Sequence, residues 1–487
     1  MTATAAKTNA PTPDATAALT AFHWEPQPKA AAFVQKVVDD ILEKLPEAKA
    51  FADRLYRETG NRFADLVCEI ELASRGPMLA EALEAGWEDG DEKNLLRNPS
   101  GMFPLITLDH PNEDAASALA VRLKVESIID FAAANGLQLD ESAEESFVSE
   151  SVRSSTAFGD ESQIEFGKAN GPFVDFVERH GVASTLQASD LSDPGAMALD
   201  VARFSEAFRL RNRREETKSW LAFRHLSNLI DDAIGLIGRD RACDLFFAAE
   251  REYWQRRNTA AQFQKARQDK LGIGWANHDH HTYRSSRRHF HKLVGLWEKL
   301  GFECRERFYP GPEAGWGAQV MEQPVCGIVT FNDVDISEAE MLTDFAHEPM
   351  QDRTAEEGGL ATVGLWCALH GESILQAGMH HLECTFDFAA LEEQMKTEAG
   401  IETMPKFTDF PHLKQAFTKG ERWQVDPKRV DAILEKGLIT EHQAKEFKKH
   451  GAIGSHLENL ERNDGFKGFN QTGVTDIIKR TDPRFAK

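Results

Sequence analysis

Basic residues are scarce in this chain relative to acidic ones. It has 56 lysines and arginines against 79 aspartates and glutamates, which gives a formal net charge of −23. A partner such as nucleic acid or an anionic membrane surface requires basic patches, which a chain with this balance would have to concentrate locally. We therefore expect neither partner. A small anionic substrate remains compatible, because one arginine in a pocket can set the local field.

Closely spaced cysteines and long apolar runs are also missing. The six cysteines include no Cys-x-x-Cys pair, so neither a zinc knuckle nor a disulfide framework is indicated, and a reducing cytoplasm is the expected compartment. No window approaches about eighteen uninterrupted apolar residues, so no membrane span is expected. Residues 1–20 are rich in Ala, Thr and Pro and lack the pattern of a secretory signal. They are expected to form a disordered tail.

The length of the chain predicts two or three domains, because a single compact core rarely extends over 487 residues. In the first half, apolar positions recur at helical spacing, with breaks at Pro46 and Gly60 and expected helices over residues 114–135 and 196–237. We predict a mainly helical domain over residues 21–271 that packs on, covers or dimerises the rest of the chain. The last of these arrangements would give a homo-oligomer.

The functional prediction depends on residues 276–284, which read Ala-Asn-His-Asp-His-His-Thr-Tyr-Arg. Strand-forming residues at the end of this run, followed by two serines, indicate a strand that leads into a helix. Side chains alternate along a strand, so one face is expected to carry His278, His280, Thr282 and Arg284. A histidine that binds a metal beside an arginine that holds a carboxylate suits a site for a small organic acid.

Two copies of a β-α-β-β-β pattern follow, each beginning with a histidine-bearing strand. The first copy continues with a helix and three strands, at residues 286–300, 302–308, 316–322 and 327–331. The second has a strand at 378–386, a helix at 388–397 that Asp387 can cap, and a closing strand at 452–462. A further helix is expected over 336–347. The sequence therefore predicts an α+β fold with a metal-binding domain over 272–487, built from paired βαβββ modules with a helical insertion at about 410–449.

Three of these strands carry a residue that can bind a metal. Two histidines and one carboxylate on adjacent strands leave open coordination positions, which suits Fe(II) and its use of dioxygen. We take His280, His381 and Glu458 as the ligand set, although zinc could use the same ligands. The repeated His-Leu-Glu triplets keep Glu383 and His456 open as replacements, and His278 could replace His280. More distant candidates are His347, His370 and Glu372.

The run at residues 279–285, Asp-His-His-Thr-Tyr-Arg-Ser, resembles the Asp-His-x-x-[Phe/Tyr]-Arg-[Thr/Ser] strand of the 2-oxoadipate dioxygenase/decarboxylase (hydroxyglutarate synthase) family, a relative of the vicinal-oxygen-chelate enzymes. The similarity continues through residues 300–307, 379–382, 455–458, 462 and 465–469. The resemblance implies that His280, His381 and Glu458 hold Fe(II) and that Arg284 binds the substrate carboxylate. The helical first half and the insertion are departures from the short form of the family.

The same resemblance implies a soluble non-haem iron dioxygenase and decarboxylase. It would convert a 2-oxo acid similar to 2-oxoadipate, with dioxygen, into a shortened 2-hydroxy acid and carbon dioxide. Arg284 would orient a distal carboxylate by paired hydrogen bonds. Further candidates for the pocket are Ser455, Arg462 and Gln376, together with Gln319, Trp316 and Trp366.

Other functions are compatible with the same ligand set. An extradiol ring-cleaving dioxygenase would chelate a catechol, and a non-redox isomerase or lyase would use zinc or nickel on a similar paired-module scaffold. The chain could also be a metal-dependent binding module whose helical half contacts a partner.

Overall fold

The computed structural model describes residues 23–114, 118–138, 151–159, 172–187, 194–214, 219–471, 477 and 481–484. The predicted tail, residues 1–20, lies outside the described part. Within the described ranges, no helix is both long enough and apolar enough to cross a membrane.

The second half of the chain forms a sheet of nine strands, in the order β13-β14-β16-β12-β8-β11-β10-β9, with β15 beside β16. Its strands are β8 (His278–Arg284), β9 (Glu303–Phe308), β10 (Trp316–Gln323), β11 (Ile328–Asp335), β12 (His381–Thr385), β13 (Thr408–Phe410), β14 (Leu413–Phe417), β15 (Glu421–Trp423) and β16 (Ala452–Arg462). Each histidine strand lies parallel to the last strand of its own module, β8 to β11 and β12 to β16. The antiparallel pair β8–β12 joins the modules. The predicted paired βαβββ architecture is confirmed.

A helix follows the first strand of each module, as predicted. The helices of the second half are α10 (Phe290–Lys299), α11 (Glu338–Met341), α12 (Thr362–His370), α13 (Phe388–Ala399), α14 (Pro427–Glu435) and α15 (Glu441–His450). Helix α12 was not predicted. The carboxylate of Asp387 accepts a hydrogen bond from the backbone N–H of Ala390 and so caps α13, as the sequence predicts.

Four helices of the first half cover one face of the second sheet. They are α6 (Pro194–Leu210), α7 (Ser219–Ile237), α8 (Arg239–Gln255) and α9 (Thr259–Asp269). Phe247 on α8 packs against Trp297 at a ring-centroid distance of 5.2 Å and against Tyr283 at 6.3 Å. This apolar contact buries the odd-numbered face of β8 at Tyr283, so the even-numbered residues point to the opposite side of the sheet.

The first half also contains a seven-stranded sheet, which the prediction of a mainly helical domain did not include. Its strand order is β2-β3-β4-β1-β5-β7-β6. The strands are β1 (Val67–Arg75), β2 (Glu88–Asp89), β3 (Leu95–Arg97), β4 (Leu105–Asp114), β5 (Ala120–Lys124), β6 (Val152–Phe158) and β7 (Phe173–Arg179). The accompanying helices are α1 (Pro28–Lys44), α2 (Pro46–Thr59), α3 (Phe63–Leu66), α4 (Pro77–Glu84) and α5 (Ile128–Asn135).

Several predicted helices are shorter or different in the structure. Residues 114–135 contain strand β5 before helix α5, and the helix predicted over 196–237 is divided into α6 and α7. The helix predicted over 336–347 is reduced to α11. The insertion at 410–449 is helical only from Pro427, because its first part supplies β14 and β15, which add hydrogen-bonded edges to β16.

Candidate functional site

The face of the second sheet opposite helices α6 to α9 lines a cavity of about 80 Å³. Such a volume holds a small molecule or a few waters. Side chains from β8, β11, β12, β14 and β16 supply its polar lining, and aromatic rings close its sides. The lining residues are His280, Thr282, Arg284, Phe308, Trp316, Phe331, Asp333, His381, Glu383, Phe407, Gln415, Phe417, Glu458, Phe469, Asn470, Ile477 and Thr481.

His280 is held by a carboxylate on its own strand. Its Nδ1 lies 2.6 Å from Oδ1 of Asp279, and Arg462 donates to both oxygens of Asp279 at 2.7 and 3.0 Å. Burial would raise the pKa of Asp279, but Arg462 and His280 hold it well below its ordinary value. Asp279 is therefore an ionised acceptor for the Nδ1–H of His280. The Nε2 lone pair of His280 is left for the cavity.

A β-bulge allows Asp279 to reach that position. On β8, His280 pairs with Glu383 of β12, but the next pair is His278 with Cys384, so Asp279 is an extra residue. A regular strand would place the Asp279 and His280 side chains on opposite faces. His278 is consequently separated from the cavity, and its Nε2 lies 3.2 Å from Nζ of Lys124.

His381 is the second histidine of the cavity. Its ring stacks on Phe417 at a centroid distance of 4.4 Å and an interplanar angle of 3°. Burial, with a further contribution from His456, lowers the pKa of His381 well below its ordinary value, so the ring is neutral. Its Nδ1 has no hydrogen-bond partner among the described residues.

Two buried carboxyl groups lie side by side in the same row of the sheet as His280. Glu383 pairs with Glu458 on the neighbouring strand β16 and with His280 on β8. Thr282 Oγ1 donates to Glu383 Oε1 at 2.5 Å, and Gln415 Nε2 donates to Glu458 Oε1 at 2.9 Å. Burial raises the pKa of both groups, that of Glu458 to about 8, and for Glu383 the charge of Glu458 adds to the effect.

These donors fit a divalent cation by their chemistry. As the described side chains stand, no group of three or more His, Cys, Asp or Glu residues is arranged to hold a metal ion. However, Glu383 Oε2 and His381 Nδ1 are buried without a hydrogen-bond partner in the described part of the chain, and Glu383 Oε1 is 3.5 Å from His280 Nε2. A cation would compensate the charge of the two carboxylates and would give these buried atoms a partner.

Arg284 lies two residues beyond Thr282 on the cavity side of β8 and is paired with an acid. Its Nε is 3.4 Å from Oδ2 of Asp333, which is its partner on β11. Burial raises the pKa of Asp333 to about 7, although Arg284 acts in the opposite direction. Arg284 Nη1 and Asp333 Oδ1 have no hydrogen-bond partner within the described ranges. At this end of the cavity, Arg284 Nη1 can therefore donate a hydrogen bond and Asp333 Oδ1 can accept one.

The predicted substrate-binding residues Ser455, Arg462 and Gln376 are not part of the cavity lining. The hydroxyl of Ser455 accepts from Asn258 Nδ2 at 2.9 Å, and the Gln376 amide donates to the carbonyl of His370 at 3.1 Å. Arg462 instead binds Asp279. Of the other pocket candidates, Trp316 lines the cavity, whereas Gln319 and Trp366 do not.

The remaining metal-binding candidates do not line the cavity, although His456 lies beside His381 at a ring-centroid distance of 5.5 Å. His347 is exposed and paired with Asp344 and Glu298. His456 Nδ1 lies 2.8 Å from the carbonyl of Thr418. His370 and Glu372 are engaged, respectively, with the carbonyl of Ile453 and with Ser285.

Sequence reasoning identified Trp316 but missed Asp333 and Gln415, and among the aromatic side chains it missed Phe331, Phe417 and Phe469. Phe469 packs edge-on against His280 at a centroid distance of 4.9 Å, and Phe331 packs against Phe469 at the same distance. The predicted strand ends at Phe331, two positions before Asp333, and only the longer observed strand β11 places Asp333 on the same face as Phe331. Nothing local indicates Gln415, which reaches Glu458 only through the pairing of β14 with β16.

We expect Asp333 to make stability depend on pH. Its pKa of about 7 in the fold exceeds the ordinary value of 3.8, so the fold favours the protonated form. The stabilisation is complete below about pH 4 and is lost as the pH rises through 7, by up to about 1.4 kcal/mol per pH unit.

Asp333→Asn should remove this contribution. The unfolding free energies of the two proteins in urea should therefore converge or cross between pH 5 and 7 and change in parallel above pH 8. Exposed Asp409→Asn should follow wild type throughout, and parallel curves for Asp333→Asn from pH 5 to 7 would contradict the assignment.

Comparison with known proteins gives only structural matches, since no family model and no curated protein matches the chain. A glyoxalase-superfamily protein from Ralstonia eutropha aligns with 54% of this chain and 96% of its own, at 10% identity and a TM-score of 0.29. Methylmalonyl-CoA epimerase from Mycobacterium tuberculosis aligns with 38% of this chain and 88% of its own, at 10% identity and a TM-score of 0.22. A mutant of 4-hydroxymandelate synthase from Streptomyces coelicolor aligns with 42% of this chain and 54% of its own, at 12% identity and a TM-score of 0.23. At these scores the matches carry no argument about activity, and the paired-module architecture rests on strand order and register.

Proposed function

We propose that this protein is an Fe(II)-dependent dioxygenase that oxidatively decarboxylates a small 2-oxo acid and hydroxylates it to a 2-hydroxy acid one carbon shorter. The observation that supports this best is the shared cavity of His280, His381, Glu458 and Arg284. The overall reaction balances as one 2-oxo acid and one dioxygen giving one 2-hydroxy acid and one carbon dioxide. One oxygen atom enters the new carboxylate and the other enters the hydroxyl group.

In this proposal His280, His381 and Glu458 would hold the metal. Fe(II) bound there would supply open coordination positions for a 2-oxo acid and dioxygen, and the electrons to activate the latter. Asp279 keeps His280 in the tautomer that presents Nε2, and Arg462 keeps Asp279 ionised. Gln415 orients Glu458 by its hydrogen bond.

The rest of the cavity would select and protect the substrate. The aromatic rings of Phe331, Phe417 and Phe469 limit water near the reacting carbon. The unpartnered Nη1 of Arg284 can donate to a distal group of the substrate. Ionised Asp333 would repel a distal carboxylate, whereas protonated Asp333 could donate to it. We therefore propose that Arg284 and Asp333 together bind the distal carboxylate.

A non-redox metalloenzyme is the second candidate, and the position of Glu383 favours it. This carboxyl group lies between His280 and Glu458 and could act as a fourth ligand. Four protein ligands leave fewer positions for a chelating substrate together with dioxygen. Such a site would suit zinc or nickel and an isomerisation or lyase reaction.

Oxygen consumption by anaerobically Fe(II)-loaded protein tests the proposal. With a panel of 2-oxo acids we expect uptake and stoichiometric carbon dioxide, and we expect His280→Ala to lower the rate at least about 100-fold because it removes a ligand. Exposed His347→Ala is the matched control and should retain the wild-type rate. Absence of uptake despite bound iron would refute the oxidative reaction, and turnover only with zinc or nickel would favour the second candidate.

Asp279→Asn tests the positioning of His280. The amide can no longer act as an ionised acceptor for Nδ1–H, so we expect the Fe(II) affinity to fall about 10- to 100-fold. Equilibrium dialysis of the full chain against Fe(II) under anaerobic conditions measures it. Surface Asp352→Asn should leave the affinity unchanged. An unchanged affinity in Asp279→Asn would show that His280 does not depend on this carboxylate.

Selectivity at the distal end should depend on pH. Because the pKa of Asp333 is about 7, about a tenth of this side chain is protonated at pH 8. The wild-type kcat/KM for a dicarboxylic 2-oxo acid should then be about tenfold below its value in Asp333→Asn, while at pH 6 the two should agree within about twofold. Monocarboxylic 2-oxo acids serve as the control. For them, the ratio of the wild-type kcat/KM to that of Asp333→Asn should be the same at pH 6 and at pH 8. An equal ratio for both classes of substrate would contradict the role of Asp333.

A further inference from the structure

The seven-stranded sheet of the first half repeats the strand plan of the sheet that carries the cavity. Strand β1, helix α4 and strands β2, β3 and β4 follow each other as β-α-β-β-β, and β1 lies parallel to β4. Strand β5, helix α5 and strands β6 and β7 follow, with β5 parallel to β7. The first strands of the two units, β1 and β5, pair antiparallel, as β8 and β12 do. Both sheets are thus pairs of modules joined through their first strands.

The strand pairing of the two sheets also corresponds residue by residue. In the second sheet one row across the strands reads His280, Glu383 and Glu458. The row that corresponds to it in the first sheet reads Glu69, Arg122 and Asp175.

The bulge beside this row also recurs. Next to Glu69–Arg122 the pairing moves to Val67–Leu123, and next to His280–Glu383 it moves to His278–Cys384. In each case one residue of the first strand is extra, Cys68 in one sheet and Asp279 in the other. A common register with a common irregularity identifies the two rows as structurally equivalent.

At the equivalent position of the first sheet, a guanidinium lies among carboxylates. Arg122 Nη1 is 3.7 Å from Glu69 Oε2, and its Nε is 3.5 Å from Asp175 Oδ2. Its Nη2 forms an ion pair with Glu71, and Nη1 donates to Thr107 Oγ1 at 3.1 Å. The three carboxylates are buried. Burial would lower the pKa of Arg122, but Glu71, Asp175 and Glu69 raise it, so the cation is permanent.

We propose that the first sheet is a second copy of the metal-type site in which the side chain of Arg122 replaces the divalent cation. Buried carboxylates need a compensating charge, and a covalently attached guanidinium provides it without an exchangeable ion. The first half is then a non-catalytic copy, and the chain binds one catalytic metal in the second sheet. Glu69 also accepts hydrogen bonds from Arg179 and Thr185, and Asp175 accepts one from Thr156, so these groups keep the carboxylates in place when the guanidinium is removed. The carboxylate oxygens of Glu69, Glu71 and Asp175 are donors of the type that a hard divalent cation such as Mn²⁺ prefers.

The test removes Arg122 in a chain whose second-sheet donors are disabled, His280→Ala with His381→Ala. Arg122→Ala in this background should bind one Mn²⁺ per chain by equilibrium dialysis, and Mn²⁺ should raise its melting temperature by at least about 2 °C. The matched control is Arg153→Ala, which removes another buried arginine, paired with Glu178 at 3.4 Å. That control and the parent should bind no Mn²⁺ and show no shift.

Two further measurements test the proposal if the Arg122→Ala variant does not fold. If Arg122→Ala is recovered only as unfolded chain, Mn²⁺ present during refolding should increase its folded yield several-fold, and Arg122→Lys, which keeps the charge, should fold and ignore Mn²⁺. No Mn²⁺ response in either the melting temperature or the refolding yield overturns the proposal. An equal response in Arg153→Ala, or two ions per wild-type chain, also overturns it.

The outcome is separable from that of the proposed function. If wild type binds no metal while Arg122→Ala gains Mn²⁺, the iron enzyme is refuted and the replaced site stands. If wild type binds one Fe(II) that is lost in His280→Ala, but Arg122→Ala gains no Mn²⁺ binding, the proposed iron site stands and the replaced site is refuted.

Discussion

The antiparallel pairing of β8 with β12 is the constraint on which the site depends. This pairing sets His280 opposite Glu383 and Thr282 opposite His381, and the parallel pairing of β12 with β16 then adds Glu458. A slip of one residue would turn the donors of one strand to the face that packs on helix α8. The helices stabilise the register because they bury Tyr283 and Trp297 on that face. Packing on one face therefore determines the chemistry of the other.

Charge compensation is the second constraint, and it is met differently around each carboxylate. Arg462 holds the pKa of Asp279 low, whereas Arg284 only partly offsets the burial that raises the pKa of Asp333. The pKa values of Glu383 and Glu458, which lie beside neutral histidines, are also raised. A buried carboxyl group without a cation keeps its proton, since ionisation in a medium of low dielectric constant is costly. In the first sheet, Arg122 compensates the corresponding acids. We therefore propose that the same architecture holds an internal cation in the first sheet and an external one in the second.

Strand alternation and helix capping were accessible from the sequence, and the limits of these local rules are visible in particular residues. The acidic Glu69 and Glu71 alternate in the sequence with the apolar Ile70 and Leu72, which is a strand pattern, and all four side chains are buried in the fold. The helical spacing of Phe63, Leu66 and Val67 just before this stretch favours a helix instead. The short helix α3 ends at Leu66, and β1 begins at the next residue. An element boundary of this kind depends on the neighbouring strands β4 and β5, which are distant in sequence.

The sequence by itself determined the two histidine strands, the β-α-β-β-β order of the second half, the cap at Asp387 and the common face of His280, Thr282 and Arg284. These are local properties, set by backbone geometry and by residues within a few positions. Only the tertiary structure decided that Glu383 contacts Thr282 across 101 positions, that a bulge brings Asp279 to His280, and that Arg462 supports this carboxylate instead of lining the cavity. Register and bulges arise from the packing of whole sheets, and no short stretch of sequence contains that information.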